Sequence, residues 1–477
     1  MDDQLLNKQP WFHGLLPREE VKLLLVCVGD FLVRRSEPSP GRPRHVVLSM
    51  LQVQGESEGM HYVIAHNDGR YSITEKESFA TLNELLTHHK VTPINESVPT
   101  SVLVAPIGRQ SWELNHEDIQ TTKVLGEGAF GEVKAGTLKT SNGVVNVAIK
   151  VAKLEKCTKE QIREITTEAR LMRRFDHKNV VRCYGVAAIE EPLYVVMELV
   201  PGGGLDGVLQ KTQMAMTEKL DVISQVAAGL AYIHSQNIMH RDIAARNVLY
   251  GNACAKVSDF GLSRVGTSYQ MGTDKKAPIR WLSPETMSTS TYTQFTDVFA
   301  FGVLCWEVLE NAATPYPGLL VQEVRNKVVL EDYRMTISDK APPALVELMK
   351  KCWIRDISLR PTMEQVRQLA VAMTKNQPAP KTKSNNTISA ERARIMAPTT
   401  KGNHDKALSG PRQSRVEKTN RRAAHQHRRK PPSSAAPSTG GSGKSLSAKV
   451  VGPVSPAGSE NTGGGEKHHR KKRSRDQ

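Results

Sequence analysis

The chain has 477 residues, 39% of them hydrophobic, which leaves room for two or three domains with a large packed core and excludes a single small module. Its formal charge of +16 is concentrated at one end: residues 375–477 hold 23 Lys and Arg against 6 Asp and Glu, leaving 42 basic and 43 acidic residues before them. The excess charge therefore belongs to a tail and does not mark the folded part as a nucleic-acid or membrane binder.

No window approaches 18 uninterrupted apolar residues, and Met1-Asp2-Asp3 offers neither a signal-peptide core nor the second-position glycine of a myristoylation site. Membrane spanning and secretion are not expected. Cys27, Cys157, Cys183, Cys254, Cys305 and Cys352 are scattered without a C-x-x-C pair and read as reduced intracellular thiols.

In chain order, residues 11–105 alternate helix and strand. Val21, Leu24, Leu25 and Val28 fall at i, i+3, i+4 and i+7 after Pro17, which predicts an amphipathic helix. DFLVRR, HVVLSM, HYVIAH and RYSIT read as short strands, and ATLNELLTHH as a closing helix with Leu82, Leu85 and Leu86 on one face. The pattern is an α+β domain. A connector over 106–117 carries Pro106, Gly108 and Trp112. Residues 118–374 begin with strands (VLGEGAF, EVKAGTL, NVAIKVA, LYVVMELV) around one helix and continue mainly helical, which implies two unequal lobes. From 375 to 477 aromatic residues vanish and Lys, Arg, Ser, Pro, Gly and His dominate, so a disordered basic tail is expected.

Gly126, Gly128 and Gly131 form G-x-G-x-x-G, a weak signal by itself. The following Glu132-Val133-Lys134-Ala135-Gly136 continues as a strand, so the glycines cap a hairpin whose N–H groups can cover phosphates, and a dinucleotide-binding βαβ unit is excluded. Lys150 ends the apolar strand Val147-Ala148-Ile149, placed to hold phosphates, and Glu168 on the next helix is placed to orient it. His240 to Asn247 supplies Asp242 as base for a substrate hydroxyl and Asn247 as a magnesium ligand, while Asp259-Phe260-Gly261 supplies the second metal-binding carboxylate.

These motifs, in this order, resemble the eukaryotic protein kinases over 118–374. Ala244 and Arg246 after the catalytic aspartate, and Pro278-Ile279-Arg280-Trp281 in the activation segment, resemble the tyrosine kinases specifically. The resemblance implies a bilobal fold, ATP and Mg2+ as cofactors, and Asp242, Lys150, Glu168, Arg246, Asn247 and Asp259 as the catalytic set. It further implies an ATP site of Leu125, Gly126, Glu127, Gly128, Gly131, Val133, Ala148 and Lys150, with Met197 as gatekeeper, Glu198 and Val200 in the hinge, and Leu249 beneath the adenine. Glu285 would pair with Arg360. Tyr269 would be the activating autophosphorylation site, with Arg241 as phosphate partner and Arg264 assisting. Two stretches depart from the usual pattern, Asp297-Val298-Phe299-Ala300-Phe301-Gly302 and Ser283-Pro284-Glu285, and neither touches a catalytic group.

In the first domain, Arg34 sits inside the apolar strand Phe31-Leu32-Val33. An unpaired buried charge is costly, and a pocket built for a phosphate, which a guanidinium grips bidentately, resolves that cost. With Trp11-Phe12-His13-Gly14, Arg18 and His61-Tyr62, the segment resembles the SH2 domain. The resemblance implies Arg34 as main phosphotyrosine ligand, Arg18 and Ser36 as further donors, and His61 lining the pocket. Arg35 stands where the family usually has Glu. The order SH2, linker, kinase, with ELVPGGGL and HEDI, most resembles the Fes/Fer family of nonreceptor tyrosine kinases, without the F-BAR domain and with a tail those kinases do not share.

The expected partners are tyrosine-phosphorylated proteins and tyrosine-containing substrates. The expected location is the cytoplasm, with peripheral association at the inner membrane face. The tail admits weak binding to anionic lipid or nucleic acid, and RRKPP and HHRKKRSR admit nuclear entry. The competing reading is a phosphotyrosine-binding pseudokinase scaffold, which would be expected to lack Lys150, Asp242 or Asp259; all three are present.

Overall fold

A computed structural model of the chain describes residues 3–36, 44–56, 58–128, 131–152, 159–272 and 277–375. The basic tail beyond 375, Cys157, Ala129, Phe130 and the activation-segment residues 273–276 lie outside the described residues.

The first domain opens with α1 (Asp3–Asn7) and α2 (Arg18–Leu24) and continues through β1 (Asp30–Ser36), β2 (His45–Met50), β3 (Met60–Asn67), β4 (Arg70–Ser72), α3 (Leu82–His88) and β5 (Ala105–Pro106). The strands form one sheet in the order β4-β3-β2-β1-β5, antiparallel except where β5 joins β1. Alternation along β1 sorts its side chains between two cores. Phe31 and Val33 pack with Leu85 and Leu86 of α3, whereas Leu32 packs with Val21 of α2. Arg34 shares the parity of Leu32 and so lies on the α2 side.

Helix α2 is shorter than the hydrophobic periodicity predicts. Asp30 Oδ2 accepts from the Val26 and Cys27 backbone N–H groups at 2.9 and 2.7 Å, which ends the helix in a tight turn and leaves Val28 outside it. Strand β4 likewise stops at Ser72, short of Ile73 and Thr74.

The small lobe of the second domain is a sheet in the order β6-β7-β8-β10-β9, built from β6 (Ile119–Gly128), β7 (Gly131–Thr140), β8 (Gly143–Ala152), β9 (Cys183–Ala187) and β10 (Leu193–Glu198). Strand β9 was not among the expected elements. Between β8 and β9 runs α4 (Lys159–Met172), whose Ile162, Ile165, Ala169 and Met172 repeat at helical spacing and are buried.

The large lobe holds α5 (Leu205–Lys211), α6 (Met216–Ser235), α7 (Pro284–Thr289), α8 (Gln294–Leu309), α9 (Val321–Leu330), α10 (Pro343–Cys352) and α11 (Met363–Lys375). Short pairs β11 (Ile238–Met239) with β14 (Arg264–Val265), β12 (Val248–Gly251) with β13 (Cys254–Val257), and β15 (Ser268–Gln270) with β16 (Thr291–Thr293) carry the loops between them. Every residue of α8 from Thr296 to Leu309 is buried, as expected of a helix apolar on nearly all sides at the centre of a lobe.

The two domains are packed against each other. Leu15 lies in the core of the second domain and Ile189 in that of the first. The Leu15 N–H donates to Ala188 O at 2.9 Å, and a Cβ at Gly14, whose φ is +57°, would stand 2.2 Å from that oxygen, so only glycine fits there. The linker joins the edge of β9: Val186 N donates to Trp112 O at 2.8 Å and Leu114 N to Val186 O at 2.9 Å. Buried His13 Nδ1 lies 2.9 Å from Glu113 and its Nε2 3.0 Å from Ile107 O, tying the first domain to this linker.

Candidate active site and phosphate pocket

A cleft of ≈ 810 Å³ opens between the lobes. Its small-lobe wall includes Leu125, Gly126, Glu127, Val133, Ala148 and Lys150, and Met197, Glu198 and Val200 line the connection between the lobes. Leu249, Asp242, Arg246, Asn247 and Asp259 line the large-lobe side. Gly128 pairs with Gly131 where β6 turns into β7. A Cβ on Gly131 would lie 2.2 Å from Val151 O, so this glycine serves the close approach of β7 to β8.

Lys150 on β8 meets Glu168 on α4 at 2.8 Å. Burial raises the Glu168 carboxyl above the ordinary range, and Lys150 opposes that shift. Phe260 is buried between Phe175 and His240, with ring centres 4.8 and 5.0 Å away. Its neighbour Asp259 adopts φ +60° and its Oδ1 accepts from Gly261 N at 3.3 Å.

The loop carrying Asp242 is fixed from below by two carboxylates of the otherwise apolar helix α8. Asp297 accepts from the backbone N–H groups of His240 (2.7 Å) and Arg241 (2.8 Å). Glu307 Oε2 accepts from Ala245 N and from Trp281 Nε1, both at 3.0 Å. Burial pushes the Glu307 carboxyl up to about 7 despite those two donors. Above it, Arg246 bridges to the Asp242 carboxylate and stacks on Trp281 with its guanidinium carbon 4.3 Å from the ring centre. Asn247 Nδ2 donates to Asp242 O at 2.8 Å, which leaves its Oδ1 as the acceptor beside Asp259 in the same cleft. An amide oxygen with a carboxylate is a hard-oxygen set that suits a divalent ion such as Mg2+. The ion pair read from the sequence between Glu285 and Arg360 is present, at 2.7 and 3.1 Å.

Tyr269 lies on β15 with its ring 4.1 Å from the Arg241 guanidinium carbon and 5.6 Å from that of Arg264. Arg241 Nη1 donates to Leu262 O at 2.8 Å, while its buried Nε has no partner among the described residues.

In the first domain Arg34 is 2% exposed. Its Nε donates to Ser49 Oγ at 3.0 Å and its Nη1 to Leu16 O at 3.1 Å. Burial, then the charge of Arg18, lowers the guanidinium to about 10, while Glu19 opposes them. Arg18, Arg34 and Ser36 share one pocket. His61 stands behind it, its Nδ1 2.9 Å from Ser49 Oγ, and burial followed by Arg34 and Arg18 lowers it to about 4. Sequence reasoning missed Ser49 and Glu307. Each is a polar residue at an inward position of an apolar run, the same signal that exposed Arg34.

Fold and site together define a protein kinase preceded by a phosphate-binding SH2 domain. Residues 119–369 match the family described as protein tyrosine and serine/threonine kinase, and residues 11–89 match the SH2 domain. The chain is 38% identical to Fer-related kinase 1 of Caenorhabditis elegans over 368 residues, covering 76% of this chain and 93% of that protein. It is 36% identical to the tyrosine-protein kinase Fer of Rattus norvegicus over 377 residues, 78% of this chain and 44% of that one. Against the transforming protein Fps of avian sarcoma virus PRCII it is 35% identical over 378 residues, 78% of this chain and 68% of that one. The chain belongs to the protein tyrosine kinases, in the Fer/Fes-related nonreceptor group that carries an SH2 domain ahead of the kinase domain. The kinase domain implies ATP and a divalent metal, and the SH2 domain implies binding of tyrosine-phosphorylated proteins. Among the described residues no helix is long and apolar enough to cross a membrane.

Proposed function

We propose that the chain transfers the ATP γ-phosphate to tyrosine hydroxyls of proteins, with Asp242 as the base and Mg2+ as the metal. The observation that carries the assignment is the meeting of Lys150, Glu168, Asp242, Asn247 and Asp259 on one cleft. Asp242 takes the phenolic proton as the tyrosine oxygen attacks the γ-phosphorus and the bond from that phosphorus to the β-phosphate oxygen breaks, releasing ADP, and Arg246 pins the carboxylate in place for that transfer. Lys150 holds the α and β phosphates, and Glu168 fixes the lysine. Asn247 and Asp259 hold the metal, which when bound neutralises charge on the phosphate oxygens. Leu125, Gly126, Glu127, Val133, Ala148, Met197, Glu198, Val200 and Leu249 enclose the nucleotide. Trp281, with Arg280 donating to the carbonyls of Pro315, Tyr316 and Leu319, supports the shelf for the substrate tyrosine. Arg34, Arg18 and Ser36 hold the phosphotyrosine of a partner, with His61 behind them.

The same proposal places the protein in the cytoplasm and at the inner membrane face. The +17 tail adds salt-sensitive attraction to anionic lipid or nucleic acid and a route to nuclear entry.

Asp242→Asn should bind ATP as the parent does and lose most phosphorylation of a tyrosine peptide, and Lys150→Arg should also inactivate. Parent-like phosphorylation by the Asp242 variant would remove the assignment and leave the scaffold reading standing.

A further inference from the structure

Among the described residues, the pocket around Arg34 is lined by both domains. It is a cleft of ≈ 360 Å³ whose far wall is the first turn of α4 in the kinase domain, where Glu160, Ile162 and Arg163 line it. Arg163 Nε meets Glu19 Oε1 at 2.7 Å, and Glu19 is also one of the charges acting on Arg34. Glu19 thus pairs directly with an arginine of the kinase lobe, and its charge also acts on the buried SH2 arginine. Of the described residues lining the cleft, five are arginines (18, 34, 35, 44 and 163) and two are glutamates (19 and 160). Four of those cations come from the SH2 domain and the fifth from the kinase.

We infer that the phosphotyrosine site of this chain is composite, with Arg163 of α4 supplying a phosphate contact from the kinase domain once a phosphopeptide displaces Glu19 from it. The inference rests on the reading of the Arg34 pocket as the phosphotyrosine site.

The exchange is favourable on charge. The side chains of Arg163 and Glu19 are 63% and 35% exposed, and a solvent-exposed ion pair of that kind is weak. A phosphate brings a charge of about −1.5 to −2 and three acceptor oxygens, against one negative charge on the carboxylate, and a guanidinium fork matches it bidentately. Glu19 left in the wall opposes the ligand, so pairing and repulsion both act at this corner. The SH2 domain by itself lacks Arg163, and the same phosphopeptide should bind the two-domain protein differently.

The test uses the full chain without nucleotide and a fluorescent peptide mixture with phosphotyrosine at the centre and randomised flanks, titrated by polarisation. Arg163→Ala should weaken binding roughly three- to tenfold. Glu19→Gln should tighten it. In the Glu19→Gln background Arg163→Ala should still weaken binding at least about threefold, which separates a direct phosphate contact from the mere release of Glu19. Arg163 is mostly exposed and Glu19 about one third exposed, and unchanged thermal unfolding checks that the variants keep the fold. Unchanged affinity for Arg163→Ala in the Glu19→Gln background overturns the composite site. Arg34→Ala is the control: if it abolishes binding while Arg163 is silent, only the kinase-lobe contact fails, and if it binds as the parent does, the phosphotyrosine reading fails with it.

Discussion

Arg173, just beyond the end of α4, donates from Nη2 to both carboxylate oxygens of Glu20 on α2, at 3.1 and 3.0 Å, and its guanidinium carbon lies 3.5 Å from the centre of the Trp112 ring. One arginine therefore fastens the SH2 domain, the linker and the kinase small lobe together. The pair is desolvated, with side-chain exposures of 14% and 7%, and Glu20 also lies 3.6 Å from Arg170 Nε, so it is removal of Glu20 that strands a charge, that of Arg173.

Breaking that pair should cost about 3–5 kcal/mol at the interface, the usual penalty for an orphaned buried charge. Because α4 also carries Glu168, loosening the packing against it should reduce the population in which Lys150 and Glu168 meet. Glu20→Ala is expected to lower turnover on a free tyrosine peptide and to make the linker near Trp112 sensitive to limited proteolysis. Parent-like turnover together with parent-like protease resistance would show that this contact does not hold the domains.

Ser49 couples Arg34 to His61, accepting from the arginine while lying 2.9 Å from the imidazole. Lysine has no fork to reach both Ser49 and Leu16 O, so Arg34→Lys should weaken phosphopeptide binding by at least ~1.5 kcal/mol, roughly tenfold. Ser49→Ala leaves Arg34 charged but unsteadied and should weaken binding less, by about two- to fivefold. Calorimetry on the full chain ranks the two, and a Ser49 effect larger than the Arg34 effect would reverse their roles as ligand and support.

Much of this architecture is legible in the sequence alone. Arg34 declares itself because a cation in Phe31-Leu32-Val33-Arg34 must have a purpose, and β1 parity then places it on the α2 side. The lysine, aspartates and asparagine of the cleft are legible as an ordered set. The domain interface is not: Gly14 against Ala188, Glu20 against Arg173 and Arg163 against Glu19 are contacts between residues far apart in sequence, and such contacts leave no periodicity. The end of α2 is hidden for a local reason, since Asp30 captures two backbone N–H groups that the apolar spacing through Val28 could not foresee. Glu307 is masked by its surroundings, a lone carboxylate in a run that reads as core.

That carboxylate gives a pH dependence of definite sign. In the fold Glu307 titrates at about 7, above its usual value near 4.5, because burial disfavours the charged form. Its contribution to stability is therefore full below about 4.5 and is lost as pH rises through about 7, an effect on the order of 3 kcal/mol at most. Glu307→Gln keeps an acceptor for Ala245 N and Trp281 Nε1 but cannot ionise. Denaturant melts at pH 5 and pH 8 should show a smaller loss of stability across that interval in the variant than in the parent. Equal losses would mean that Glu307 is not ionising in this range.

Tyr269 is expected to be the activating autophosphorylation site. Unmodified, its ring lies over Arg241 at 4.1 Å, and Arg264 stands at 5.6 Å, so the aromatic face already occupies the cations that a phosphate would seek. Adding a charge of about −1.5 to −2 replaces a cation–π contact with charge-assisted hydrogen bonds, and the Arg241 Nε that has no partner among the described residues is a donor in reserve for them. Arg241 is held from behind, its N–H on Asp297 and its carbonyl accepting from Tyr292 Oη at 2.9 Å, so the phosphate would draw the activation segment toward a fixed point. That ordering extends toward Trp281 and, through Arg246, to Asp242. Tyr269→Phe keeps the stacked ring and removes the acceptor hydroxyl, which makes it the sharper probe than alanine. Incubation of the parent with ATP and Mg2+ should place phosphate on Tyr269 and raise peptide turnover, while the phenylalanine variant should fold as the parent does and stay at the basal rate. A parent that becomes active without phosphate at Tyr269, or a phenylalanine variant that reaches full turnover, would locate the switch elsewhere.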